Sequence, residues 1–217
     1  MELLTVRAST VILVAKDPRT RPVKTRLAVS IGHDAAAAVA AAMLADTLAN
    51  LAASSARRRV VALDGDDSTW VPPGFEVVPQ RGAGLAERLA AAFEDVDAPA
   101  FLVGSDTPQL TPQLVDAGLA SVAPGRACVG PAVDGGYWGM GLARPERRCF
   151  VGVPMSSDLT LARTRLRLRS LDLAEVTLPT LRDVDDLASF AAVVRECPTA
   201  SSTARCAEVM EGTPVNG

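Results

Sequence analysis

Phe101-Leu-Val-Gly-Ser-Asp-Thr-Pro108 decides how this chain is read. A short apolar run ends in Gly104, Ser105 and Asp106, and Thr107-Pro108 then turns the chain. This is the pattern of a buried strand that delivers one carboxylate to its carboxyl end. In open α/β sheets, ligands bind in the crevice beyond those ends. A second stretch, Val129-Gly-Pro-Ala-Val-Asp-Gly-Gly-Tyr137, places another carboxylate, Asp134, on a glycine-rich turn. Taken singly, Asp106 reads as a turn cap and Asp134 as a loop residue. Taken together, they suggest a divalent cation held against nucleotide phosphates.

Working outward, Ser9 to Ala15 is a continuous β-branched run, as expected of a strand buried on both faces. The loop after it carries Lys16, Arg19, Arg21, Lys24 and Arg26 against one acid, Asp17. Pro18 and Pro22 keep it from helix. Guanidinium and ammonium groups give charge-assisted bonds to phosphate, so the loop is expected to clamp phosphates. Asp34 to Ala53 is alanine-rich, with Val39, Met43, Leu44, Leu48 and Leu51 at helical spacing, and predicts a helix capped by His33 or Asp34. Arg59 to Leu63 and Phe75 to Val78 predict strands, the first ending in the acidic turn Asp64 to Asp67. Gln80, Arg81, Gly82 and Gly84 precede a helix reaching about Phe93, where a glycine backbone could approach a nucleotide.

Thr111 followed by Pro112 marks a helix start. Ala127 to Gly130 and Tyr137 to Leu142 read as strands, with Gly139 and Gly141 leaving room either for a bound group or for the core. Ser156 or Ser157 is expected to cap a helix reaching Leu168, whose face carries Arg163, Arg165, Arg167 and Arg169. A strand follows at Val176 to Leu178. A last helix to about Arg195 begins near Arg182, with Asp183 or Asp185 as its cap or as a further metal ligand. Residues 197–217 are rich in Pro, Ser, Thr and Gly and are expected to be loosely ordered.

Composition bounds the rest. At 217 residues the chain suits one domain, 1–196, with the tail beyond it. No apolar run approaches the roughly 20 residues of a membrane span, so none is expected. The start lacks the layout of a signal peptide, so a cytoplasmic location is expected. A net charge of −3 argues against a nucleic-acid polymer as partner. Cys128, Cys149, Cys197 and Cys206 form no Cys-x-x-Cys pair, which leaves neither a zinc nor a redox motif. A Ser-His-Asp triad would need His33, the sole histidine, and no nucleophile elbow accompanies it.

Strands alternating with helices predict a three-layer αβα sandwich around a mainly parallel twisted sheet. At this level the motifs resemble a bacterial family of GT-A-type, glycosyltransferase-like transferases related to 2-phospholactate guanylyltransferase. The resemblance rests on Val23-Lys-Thr-Arg-Leu27; on Gln80, Gly82, Leu85, Glu87 and Arg88; on Gly104, Ser105, Asp106 and Pro108; on Gly130, Pro131 and Asp134 to Tyr137; and, in part, on Asp183, Asp185 and Leu187. Met155-Ser156-Ser157 stands where the family usually has Trp-Ser-Thr. The resemblance implies a nucleotide-diphospho-sugar-transferase-like fold, a nucleoside triphosphate or nucleotide-sugar, a small-molecule acceptor, Mg²⁺ or Mn²⁺, and room for a homodimer. Asp106, Asp134 and Lys24 are the expected catalytic residues, and Asp106 and Asp185 the expected metal ligands. Lys16, Arg21, Lys24, Arg26, Gln80, Gly82 and Ser105 would hold the nucleotide, and Gly135, Gly136 and Tyr137 the acceptor. Nucleotidyl transfer to a small phosphorylated acceptor is the first expectation, because a dense basic loop suits a triphosphate. Glycosyl transfer from a nucleotide-sugar is the second, and a non-catalytic nucleotide-binding protein the third.

Overall fold

A computed structural model describes residues 8–212. Seven strands form one sheet: β1 (Thr10–Lys16), β2 (Arg58–Asp64), β3 (Glu76–Pro79), β4 (Ala100–Val103), β5 (Arg126–Pro131), β6 (Tyr137–Leu142) and β7 (Ala174–Thr177). Their spatial order is β3-β2-β1-β4-β6-β5-β7. All run the same way except β6, which pairs antiparallel with both β4 and β5. The expected mainly parallel sheet is therefore present, with one reversed strand inside it. Helices α1 (Thr25–Ile31), α2 (His33–Ala53), α3 (Leu85–Val96), α4 (Pro112–Ser121), α5 (Thr160–Ser170), α6 (Leu187–Val194) and α7 (Ser202–Gly212) complete the fold.

Period-two alternation sorts the strands between two cores. Val11, Leu13, Val61, Leu63, Phe101 and Val103 pack with Leu44, Leu48 and Leu51 of α2 and with Val115 and Leu119 of α4. Ile12, Val60, Ala62, Leu102 and Met140 pack on the opposite face, with Leu89 and Phe93 of α3 and Leu168 of α5. Helices on both faces make the three layers. Gly139 and Gly141 lie against the first of these cores. A Cβ on either would come within 2.7 Å of the Phe101 ring or 2.6 Å of Val122, respectively.

Several expectations change, among them the start of α5, which has no side-chain cap from Ser156 or Ser157. α1 forms where only a loop was foreseen, because the prolines end at Pro22 and the chain is free to coil from Thr25. α2 begins after Gly32 with no side-chain cap from His33 or Asp34. It is also 21 residues long with a mean hydropathy of 1.5, enough by length and composition to cross a membrane. Its apolar residues are accounted for within the fold: Val39 and Met43 meet Leu27 of α1, Phe190 of α6 and Ala207 of α7. Finally, the expected loose tail contains α7. Asp46 on α2 accepts hydrogen bonds from Ser202 N at 2.7 Å, Thr203 N at 2.8 Å and Thr203 Oγ1 at 2.6 Å, which fixes the start of that helix. Residues 213–217 lie outside the described part.

Candidate active site

The carboxyl ends of the parallel strands share one edge of the sheet, and the reversed strand β6 begins there. A cleft of about 980 Å³ opens along this edge. Lys16 enters it from the end of β1, Gln80 from just beyond β3, Gly104 to Asp106 from the end of β4, and Tyr137 from the start of β6. Asp134 stands in the turn joining β5 to β6. There Gly136 N donates to its Oδ1 at 2.8 Å, holding the carboxylate while leaving it exposed.

The segment after β7 brings carboxylates that no periodicity announces. Leu178 N donates to Val129 O at 2.8 Å, Leu181 N to Pro131 O at 3.1 Å, and Val184 N to Asp106 O at 3.0 Å. The chain is thereby laid across the ends of β5 and β4, and Asp183 and Asp185 reach the cleft. Neither caps the next helix. Asp186 does so, accepting from Ser189 N at 2.8 Å in a capping box. Burial raises the Asp183 carboxyl to about 8, and the negative charges of Asp134 and Asp106 push in the same direction.

The cationic loop is divided. Asp17, fully buried, accepts from Arg19 N and Nε at 3.0 Å each. Arg19 also reaches Asp67 at 3.1 Å. Arg21 pairs with Asp64 at 3.0 Å and with Asp66 at 3.4 Å. The acidic turn after β2 therefore neutralises the first half of the loop, and Arg21 does not line the cleft, contrary to its expected phosphate role. Lys16, Lys24 and Arg26 do line it, joined by Arg88, which had no expected role and whose guanidinium also pairs with Asp64 at 2.7 Å. Lys24 points inward. Its Nζ lies 2.6 Å from Asp106 Oδ1 and donates to Val184 O at 2.5 Å. Arg26 sits 3.5 Å from Asp185.

Other expected residues take different places. Gln80 lines the cleft, but its amide is spent on Ala15 O and Ala62 O, each at 2.9 Å, tying β1 to β2. Gly82 lies outside the lining. A Cβ there would meet Glu87 at 2.5 Å, so its bareness lets the loop fold onto α3. Gly136 and Tyr137 face the cleft together with Met155, Ser156, Ser157, Asp158 and Thr160. Gly135 instead backs this wall: its φ is +89°, and a Cβ would lie 2.2 Å from Asp158 O. Gly135 O accepts from Leu161 N at 2.8 Å, which locks the two wall segments together. The Tyr137 hydroxyl faces Met155 Sδ at 3.8 Å, and burial pushes its pKa up.

Among the described residues, no three His, Cys, Asp or Glu side chains form a ready cage for a metal ion. Mg²⁺ does not need one. It keeps several waters and binds through one or two carboxylates plus substrate phosphates. Asp106, Asp183 and Asp185 offer hard oxygen donors beside a cationic lip, and that donor set fits such an ion.

This fold is the nucleotide-diphospho-sugar transferase type. It is similar over 93% of the chain to a crystal structure from Desulfovibrio desulfuricans G20, provisionally assigned as a nucleotide-diphospho-sugar transferase; 94% of that chain is covered, with a TM-score of 0.81 and 27% identity. It is also similar to a homologue of Mycobacterium tuberculosis Rv0371c from Mycobacterium sp. strain JC1, with a TM-score of 0.52, 18% identity, and 86% and 96% of the two chains covered. No curated protein matches the chain in sequence. Residues 38–157, more than half of the chain, match a family described as "Uncharacterized protein conserved in bacteria (DUF2064)", and the chain belongs to that family.

Proposed function

We propose that this cleft transfers a group from a nucleotide-linked donor, with glycosyl transfer from a nucleoside diphosphate sugar as the reading the geometry favours. One observation carries it: a single cleft has Lys16, Lys24, Arg26 and Arg88 among its lining cations and Asp106, Asp134, Asp183 and Asp185 among its lining acids. The cations would bind the donor phosphates. Asp106 and Asp185, the latter on the facing segment, would hold a divalent ion. When bound, that ion supplies charge neutralisation at the departing phosphate. The provisional assignment of the structure from Desulfovibrio desulfuricans supports a nucleotide-sugar donor.

The acceptor wall supports a hydroxyl acceptor. Asp134 and Asp158 contribute negative charge there, beside Tyr137, Ser156 and Ser157, and no lysine or arginine from residues 134–160 lines the cleft. A phosphomonoester would be repelled from such a wall. Asp134, exposed and oriented by Gly136 N, would accept the proton of the attacking hydroxyl. Positioning and electrostatics would do the remaining work.

Nucleotidyl transfer keeps one observation in its favour, the four cations lining the cleft, since a triphosphate carries more charge than a diphosphate sugar. Its stronger argument, the five-cation loop, is weakened because Arg19 and Arg21 are engaged by acids. Incubation with Mg²⁺ or Mn²⁺ and panels of nucleotide-sugars and triphosphates separates the two. Release of a nucleoside diphosphate is the expected result, and release of pyrophosphate would replace it with the second reading. Absence of binding to every panel member in calorimetry would remove both.

A further inference from the structure

We propose that Lys24 is a built-in counter-ion for the carboxylate floor, one that gives up Asp106 only when phosphate arrives together with a metal. The inference rests on the donor reading above and adds an order of binding to it. The Lys24 side chain is only 7% exposed although it belongs to a loop, whereas Asp106 is 55% exposed. Its ammonium meets Asp106 Oδ1 at 2.6 Å and Val184 O at 2.5 Å, so it bridges three distant stretches of chain. Lys24 also holds a left-handed backbone, φ 48° and ψ 43°, a conformation uncommon for a residue with a side chain. The residue lines the cleft at the N-terminus of α1.

The position has a chemical consequence. A hard cation would seek the same Asp106 oxygen that Lys24 now occupies. Two cations on one carboxylate repel, so a free metal ion must displace Lys24 and leave a nearly buried ammonium without its counter-charge, with only the neutral Val184 O beside it. A metal ion delivered with phosphate brings that partner along. Lysine suits the exchange, being a compact charge on a flexible four-carbon stem. Metal and phosphate should therefore strengthen each other's binding, as linkage requires. Arg26 is an outer contrast: its pair with Asp185 is longer, 3.5 Å, and its side chain is 78% exposed.

The test uses Mn²⁺ alone and Mn²⁺ with inorganic pyrophosphate, titrated calorimetrically into the whole protein. Wild type should bind the Mn²⁺–pyrophosphate complex at least about tenfold more tightly than Mn²⁺ alone. Lys24→Met should gain at least about tenfold for Mn²⁺ alone and lose most of the advantage given by pyrophosphate. Lys24→Arg, which keeps the charge, should retain the wild-type ranking. A residue that merely braces the fold would not raise metal affinity when removed. Unchanged or weaker Mn²⁺ binding in a folded Lys24→Met overturns the proposal. Should that variant not fold, Lys24→Gln, which keeps a donor for Val184 O, decides in the same way. If wild type binds neither Mn²⁺ nor its pyrophosphate complex, the donor reading itself falls, and the proposal with it.

Discussion

Asp106 and Asp134 lie on one cleft but carry different tasks, and substitutions should separate them. Asp106→Ala takes the ion-pair partner from the nearly buried Lys24 ammonium and leaves it Val184 O, so a loss of about 1–3 kcal/mol is expected while the fold persists. Metal-dependent nucleotide binding should nevertheless be lost in calorimetry; unchanged affinity would remove Asp106 from the site. Asp134→Asn keeps the hydrogen bond from Gly136 N but cannot take a proton. Donor affinity should persist while turnover falls about 10²–10⁴-fold, the usual share of a general base. Equal loss of both would make Asp134 a binding residue. Both aspartates were legible because each follows an apolar run and is flanked by turn-forming residues. Asp183 was legible only as one of two candidates. Nothing in Arg182-Asp-Val-Asp-Asp186 says which acid caps α6. The choice falls to Asp186 through Ser189, and only then are its neighbours free to face the cleft.

At the scale of elements, charge pairing decides what local patterns cannot. The first-strand loop looks like a phosphate clamp in isolation, yet the turn after β2 engages two of its five cations. Burial alone would raise the Asp64 carboxyl; hydrogen bonds from Arg88 and Arg21 outweigh that and leave it lowered. Its contribution to stability is thus fully present above the ordinary carboxylate range, about pH 4, and is lost as pH falls through the lowered value. Thermal midpoints should decline on acidification below that range, and Asp64→Asn should show a shallower decline. A second element-scale expectation concerns α7. Asp46→Ala leaves two backbone N–H groups and a hydroxyl of α7 without their acceptor, at a cost of about 1–3 kcal/mol. Hydrogen exchange should show α7 opening ahead of the sheet, and uniform exchange across both would refute a separate docking. The helix was hidden in the sequence because its composition resembles that of a tail, and its stability comes from α2, far away along the chain.

For the whole molecule, Phe101 is the side chain around which the two halves of the sheet meet. It is fully buried, meets Trp138 edge-on at 5.8 Å, and fills the space left bare by Gly118, Gly139 and Gly141. Phe101→Ala should cost about 3–5 kcal/mol in denaturant unfolding. A loss under about 1 kcal/mol would mean that the surrounding residues collapse into the gap. The layered architecture was legible from the apolar runs alone, since strands buried on both faces need helices above and below. The reversal of β6 was not. Alternation along Tyr137 to Leu142 gives a strand but no direction, and direction follows from the short turn at Asp134, which can return the chain only antiparallel.

The docking of α7 on α2 also bears on how the chain emerges from the ribosome. Asp46 and its partner Ser202 are separated by 156 residues. At about 5–20 residues per second, the apolar stripe of α2 waits roughly 8–30 seconds for its cover to be synthesised. Through that interval Val39 and Met43 lack part of their cover, which makes translation speed and chaperone supply levers on the yield.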